Sequence, residues 1–252
     1  MSSIIVNGVT TATNLPVDSD LKTFLESHPA TVEWFQMDPE HCDLNGANVQ
    51  RIRSIGSGKS VFSPDVGVPT LAPFDSYAGF TALALPGNST QRFAGPVIPA
   101  LAGSFTIIVV AARSGGITAP GKWINWGDSS GSETRLQYAS NGSIQAFHRE
   151  RGITIAAPLA PDDKPRMNLM SFDGKNLRGR SNSGVIATSA DVTGALPATA
   201  STFIGGVGAN YPRGSMSDVV ILNTDLLAAA NADLYALWRE LFSDVYAINL
   251  EL

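Results

Sequence analysis

The stretch Ser104-Phe105-Thr106-Ile107-Ile108-Val109-Val110-Ala111-Ala112-Arg113 decides the fold. In an extended chain successive side chains point to opposite sides, so Phe105, Ile107, Val109 and Ala111 share one face and Ile108 and Val110 the other. Both faces are apolar. A strand of this kind is covered on both sides and belongs in the middle of a sheet.

Neighbouring segments carry the same signal. Downstream come Trp123-Ile124-Asn125-Trp126, Thr134-Arg135-Leu136-Gln137-Tyr138 and Ser143-Ile144-Gln145-Ala146-Phe147-His148, with Gly127 to Gly131 and Asn141-Gly142 as turns between them. The last two alternate polar and apolar residues, as half-buried strands do. Asn168 to Phe172 and Asn176 to Arg180 flank Asp173-Gly174-Lys175, which predicts a hairpin. Val185-Ile186-Ala187, Thr202 to Gly205 and Ser217 to Leu222 add further strands. Strand and turn signals at this spacing predict an all-β antiparallel sandwich rather than alternating βαβ units.

The two ends differ from this middle. Ile4-Ile5-Val6 and Val9-Thr10-Thr11 flank Asn7-Gly8, a pair suited to a tight hairpin turn. Leu21, Phe24 and Leu25 fall at i, i+3, i+4 after Asp18-Ser19-Asp20, a capping sequence, and Pro29 stops the helix. That stripe needs a surface to dock on, either the chain's own sandwich or another subunit. The expected division is an N-terminal attachment arm or appendage over residues 1–30 and the sandwich with its helix and tail over 31–252. One substantial helix is expected after Asn223-Thr224-Asp225, with Ala228-Ala229-Ala230 as helix formers and Leu227, Leu234, Leu237, Trp238 and Leu241 as its apolar stripe. Val245 to Leu252 reads as one more strand.

Composition limits the function classes. A chain of 252 residues buries enough surface to fold without a disulfide or metal, and with one cysteine, Cys42, no intrachain bridge exists. The net charge of −5 and the absence of a Lys/Arg-rich run argue against nucleic-acid binding. No run approaches the ~18 apolar residues of a membrane span. The N-terminus lacks a basic region and its apolar stretch is too short for a signal peptide, so synthesis in a host cytoplasm is expected. The sequons at Asn88 and Asn141 then read as chance matches.

Once these pieces are in order, the chain resembles the laminin-G-like, concanavalin A-like jelly rolls found in phage and bacterial surface proteins. The resemblance runs over roughly residues 31 to 242. It is carried by Trp34 with Asp38, Leu44-Asn45-Gly46-Ala47-Asn48-Val49, Pro69-Thr70-Leu71, Ala82 to Gly87 and the strand Phe105 to Arg113. Later matches are Phe172-Asp173-Gly174-Lys175-Asn176-Leu177-Arg178, Phe203-Ile204-Gly205-Gly206, Gly214 to Asn223 and Leu234-Tyr235. It implies a jelly-roll sandwich with a short N-terminal appendage and a C-terminal helix. A fold that hosts glycan binders, calcium-dependent adhesion modules, glycan-cleaving enzymes and structural modules of virus particles does not by itself name a ligand.

Glucanases of the related type carry Glu-x-Asp-x-x-Glu on one strand, which aims a nucleophile and an acid at one sugar bond. This chain has no such triplet, and no catalytic residue is assigned. His28, His41 and His148 lack zinc-ligand spacing, and no metal site is assigned. Asp128-Ser129-Ser130-Gly131-Ser132-Glu133 offers oxygen ligands for calcium but departs from the EF-hand pattern, so it reads as a solvated turn and no cofactor is expected. Gly205-Gly206-Val207-Gly208 lacks a following Lys-Ser/Thr and reads as a turn. A glycan site would use aromatic rings beside hydrogen-bonding groups; the candidates are Trp123, Trp126, Asp128, Tyr138, Arg149, Tyr211 and Arg213. The leading expectation is a non-enzymatic structural protein of a virion: a capsid decoration, head-fibre or tail-associated module. Its partners would be capsid or tail subunits, and it would form a homo-oligomer such as a trimer. The alternative is a carbohydrate-binding or receptor-binding lectin on a virion or cell surface. A glycan hydrolase or lyase ranks last.

Overall fold

The computed structural model describes residues 5–6, 9–10, 17–73, 81–87, 91–114, 120–127, 132–156, 164–194, 196, 201–206, 212–246 and 250. Its first elements are β1 (Ile5–Val6), β2 (Val9–Thr10), α1 (Val17–Ser27), β3 (Thr31–Gln36), β4 (Cys42–Asn45), β5 (Asn48–Arg53), β6 (Val61–Val66) and β7 (Thr70–Pro73). Then come β8 (Thr81–Pro86), β9 (Arg92–Gly95), β10 (Phe105–Arg113), β11 (Gly121–Trp126), β12 (Thr134–Tyr138), β13 (Ile144–His148) and β14 (Arg151–Ala156). The last are β15 (Arg166–Phe172), β16 (Leu177–Ser181), β17 (Ala187–Thr188), β18 (Thr202–Gly205), β19 (Arg213–Leu222) and α2 (Ala232–Tyr246).

Strand β10 lies where its two apolar faces require, inside a sheet. It pairs antiparallel with β15 on one side, from Phe105↔Phe172 to Ala111↔Arg166, and with β19 on the other, from Thr106↔Leu222 to Arg113↔Gly214. This back sheet runs β17-β16-β15-β10-β19, after which β19 pairs with β8 through its first residues and with β3 through its last. Strands β7, β5 and β4 continue beyond β8. The front sheet runs β9-β18-β11-β12-β13-β14. Strand β6 belongs to both: Val61 and Phe62 pair with β5, whereas Ser63, Pro64 and Val66 pair with β9.

Two cores follow from the alternation. Phe105, Ile107, Val109 and Ala111 face the front sheet and bury against Trp123, Ile124, Trp126, Leu136 and Ile204. Ile108 and Val110 face outward into a second core with Trp34, Leu169, Val220 and Leu222, closed by Leu21 and Leu25 of α1 and Trp238, Leu241 and Phe242 of α2. The molecule is thus an all-β antiparallel sandwich with a helical layer outside the back sheet. The stripe on α1 docks on its own sandwich, with Leu25 fully buried.

Three local expectations change. Residues Ala228 to Asn231 form turns and a short 3-10 segment, and α2 begins only at Ala232. Asp225 caps the turn before that segment and not α2: its carboxylate accepts the Leu227 amide and also bonds Arg178 and Ser171, and the Asn231 amide donates to the Asp225 carbonyl and the Thr224 hydroxyl. Val245 and Tyr246 belong to α2 and not to a last strand, and of the remainder of that expected strand only Leu250 is among the described residues. Val185 is 90% exposed and Ile186 41%, outside any strand, with pairing limited to Ala187 and Thr188.

Candidate ligand-binding groove

Strands β7, β8 and β19 lie side by side with Thr70, Ala84 and Ser215 in one cross-strand row. Next to that row Arg213 stands opposite Pro86. Together with Gln91 and Ser114 these residues line an open groove of about 430 Å³, whose apolar wall is Ala72, Pro73, Ala84, Leu85 and Pro86. The groove therefore combines one cation and several hydroxyl and amide groups with an apolar side, the mixture found in small-ligand sites.

The backbone around Arg213 is tightly determined although its side chain is exposed. Its amide donates to the Tyr138 hydroxyl at 2.5 Å. Its stem lies over Gly87 (φ +76°), where a Cβ would come within 2.5 Å of the Arg213 Cβ. The following Gly214 has φ +139°, and a Cβ there would fall 2.0 Å from the Ala112 carbonyl oxygen. Only glycine satisfies both positions. The Arg113 guanidinium stands 5.4 Å from the centre of the Tyr138 ring. Burial pushes the Tyr138 hydroxyl up, opposed by the Arg213 amide and by the charges of Arg113 and Arg213. No described carboxylate pairs with Arg213.

Of the residues expected to bind a glycan, Tyr138 and Arg213 are brought together, the first as a buried support for the second. Trp123, Trp126 and Tyr138 do not form an exposed platform: they are 1%, 4% and 0% exposed and lie between the sheets. Trp123 packs edge-on against Tyr138 at 5.6 Å. The cause is a bulge in β11 between Lys122 and Ile124, which lets Trp123 join Ile124 and Trp126 in the core. Arg149, on the turn between β13 and β14 with φ +56°, holds its guanidinium 5.6 Å from the Phe172 ring. Asp128 and Tyr211 lie outside the described residues. Thr70, Pro73, Gln91, Ser114 and Ser215 were not anticipated; their only trace in the sequence is Gly87 following Pro86 and Gly214 following Arg213.

A second polar surface covers the outer face of the front sheet. Phe203, Asn125, Arg135 and Phe147 stand in one row across β18, β11, β12 and β13. Arg135 stacks on Phe147 at 3.8 Å, and Arg92 on Phe203 at 4.7 Å. Glu133 is buried between Lys122, 2.8 Å from one of its oxygens, and Arg135, which contacts the other. Burial, and then Arg135, draws the Lys122 ammonium down to about 8 against the pull of that carboxylate, and burial lowers Arg135 to about 10. Glu133, weighed above as an end of a calcium loop, thus has both oxygens engaged by cations. Among the described residues no group of His, Cys, Asp and Glu is placed to hold a metal ion.

Other reactive residues are committed to the fold. Burial, and to a lesser degree the Arg149 charge, lowers His148 to about 3, so the imidazole is neutral. Burial pushes the Cys42 thiol up to about 12, which keeps it protonated. The Gly56-Ser57-Gly58-Lys59-Ser60 loop wraps a carboxylate of the protein itself: Ser60 donates its hydroxyl and amide to Glu33 at 2.5 and 3.2 Å. No described helix is long and apolar enough to cross a membrane.

No protein-family model matches the chain, and no curated protein matches it either. Solved structures do. A sialidase of Trypanosoma rangeli in complex with 2,3-difluoro-KDN matches with a TM-score of 0.60 at 14% identity, over 87% of this chain and 33% of that one. The same sialidase in complex with sialic acid matches with a TM-score of 0.59 at 14% identity, over 85% and 33%. Without a named ligand it matches with a TM-score of 0.58 at 15% identity, over 85% and 33%. The chain spans about a third of the length of these sialidases. At this identity the likeness is one of fold: an antiparallel β-sandwich shared with part of a much longer protein.

Proposed function

We propose that this chain is a non-enzymatic β-sandwich module that binds carbohydrate in the groove at Arg213. The observation that carries the reading is the groove itself, where an exposed arginine on a fixed backbone sits beside Gln91, Ser114, Ser215 and Thr70 and faces a wall of Pro73 and Pro86. Sugars present hydroxyls to polar groups and C–H faces to apolar ones, which this lining matches. Among its described lining residues the groove has groups to hold a sugar and no carboxylate, imidazole or thiol. Further support comes from the fold, which is shared with part of a sialidase solved with sialic acid, and from the sequence resemblance to laminin-G-like domains.

The test is a broad glycan array followed by titration calorimetry on the hits. Arg213→Ala is expected to weaken binding at least about tenfold, one charged hydrogen-bonding group's worth, while thermal unfolding stays unchanged because the side chain is exposed. A flat array overturns the reading. Release of sugar from any bound glycan would overturn its non-enzymatic half.

A second reading, a structural module of a virus particle held by protein contacts, draws on one observation. Val185 projects from its loop 90% exposed, with Ile186 beside it at 41%. Apolar tips of this kind are more at home in an interface than in water. Replacing both with serine should abolish incorporation into particles on this reading and leave glycan binding untouched on the first.

A further inference from the structure

We infer that the groove selects glycans that carry a carboxylate, with Arg213 as the residue that recognises the acid. This rests on the carbohydrate reading of the same groove and goes beyond it by naming the ligand's charge.

The argument starts from local charge. The chain as a whole is acidic, at −5, yet the described lining of the groove contains a cation and no acid. Elsewhere several surface arginines are neutralised by carboxylates. Arg92, next to the groove residue Gln91, binds Asp65 at 2.5 Å, Arg53 binds Asp43 at 2.5 Å, and Arg178 bridges Asp173 and Asp225 at 2.7 Å each. Among the described residues no carboxylate pairs with Arg213, and it lines the groove.

Geometry supports the same conclusion. An arginine binds a carboxylate through two parallel N–H···O bonds, and the pairing is strongest when the stem is fixed before the ligand arrives. Arg213 has such a stem. Its amide is anchored on Tyr138, and its methylenes lie against Gly87. A sugar carboxylate on the guanidinium leaves the ring hydroxyls to Gln91, Ser114 and Ser215, which line the same groove. A neutral sugar in that position would desolvate the guanidinium and return only single hydrogen bonds.

The experiment titrates the full chain with four classes of oligosaccharide: neutral, sialylated, uronate-bearing and sulfated. Each carboxylated ligand is paired with its carboxyl-reduced counterpart. The expected result is binding of at least one carboxylated class, about ten- to a hundredfold weaker after carboxyl reduction. That difference should vanish in Arg213→Gln and be reduced in Arg213→Lys, which keeps the charge but loses the fork. Affinity should also fall between about 50 mM and 500 mM salt, as the screening length shortens. Equal binding of acid and reduced ligands overturns this inference and leaves the carbohydrate reading standing. Preference for sulfate over every carboxylate overturns it too and reassigns the anion. Failure of all four classes to bind overturns both.

Discussion

The hydroxyl of Tyr138 accepts the backbone amide of Arg213 at 2.5 Å, a bond between residues 75 positions apart. It ties the last residue of a buried front-sheet strand to the first residue of a back-sheet strand, and so joins core packing to the groove. Tyr138→Phe keeps the ring in the core and removes only this acceptor. A loss of about 1–2 kcal/mol in stability is expected, together with several-fold weaker glycan binding as Arg213 loses its anchor. Denaturant unfolding and calorimetry on the same variant check both halves. Lower stability with unchanged affinity would show that Tyr138 does not position the arginine.

His148 gives the fold an acid limit. Its ring lies 4.4 Å from that of Phe172 and 5.0 Å from that of Phe105, with Thr134 bonded to Nδ1 at 2.8 Å. Burial lowers it from 6.5 to about 3. The unfolded chain therefore takes up a proton that the native state refuses, and stability is fully present above pH 6.5 and declines as pH falls toward 3. The decline from this one group is about 1.4 kcal/mol per pH unit. His148→Leu should remove that slope, read by denaturant titrations at pH 7, 6, 5 and 4.

Glu133 holds together a buried pair of cations, Lys122 and Arg135. Glu133→Gln leaves both charges facing each other out of water, for a cost of about 3–5 kcal/mol. Replacing all three residues with apolar ones of similar volume should cost far less. Thermal unfolding of the two variants compares them, and equal losses would show that packing rather than charge compensation is the cause.

The helical layer is part of the fold. Trp238 is fully buried, edge-on to Trp34 at 5.0 Å, and Trp34 donates its indole N–H to Asp218 at 2.8 Å. Trp238→Ala is expected to cost about 3–5 kcal/mol. Removing residues 1–27 strips Leu21 and Leu25 from the same core, so the remaining sandwich should unfold at lower temperature and expose apolar surface to a dye such as ANS. Unchanged melting after that truncation would mean that α1 is a detachable arm.

How much of this was legible in the sequence depended on whether a residue's neighbours were local. Strand β10 was legible because six apolar residues on two faces leave one solution, the middle of a sheet. The hairpin at Asp173-Gly174-Lys175 was legible because its turn is local: Asp173 accepts the amides of Lys175 and Asn176 at 2.8 and 2.6 Å. The tryptophans of β11 were not. A regular strand puts residues three apart on opposite faces, and only a bulge, set by pairing with β12, turns both Trp123 and Trp126 inward. The groove was hidden for the same reason. Thr70, Ser114 and Ser215 come from three distant segments, and nothing in their immediate sequence distinguishes them from turn residues. Arg213 stands among the candidates as a hydrogen-bonding group, but what fixes its backbone and stem, Tyr138 and Gly87, lies 75 and 126 positions away in the chain.

Strand β6 changes partners midway, from β5 at Phe62 to β9 at Ser63. On that flank the molecule is a single folded ribbon, creased like a book at its spine. Force applied to prise the covers apart would have to tear backbone hydrogen bonds at the crease, whereas on the opposite flank, among the described residues, it would meet side chains, Ile153 and Ile155 resting over Gly179. Under mechanical load the protein should therefore open from one side only, with β14 peeling first and the spine giving way last.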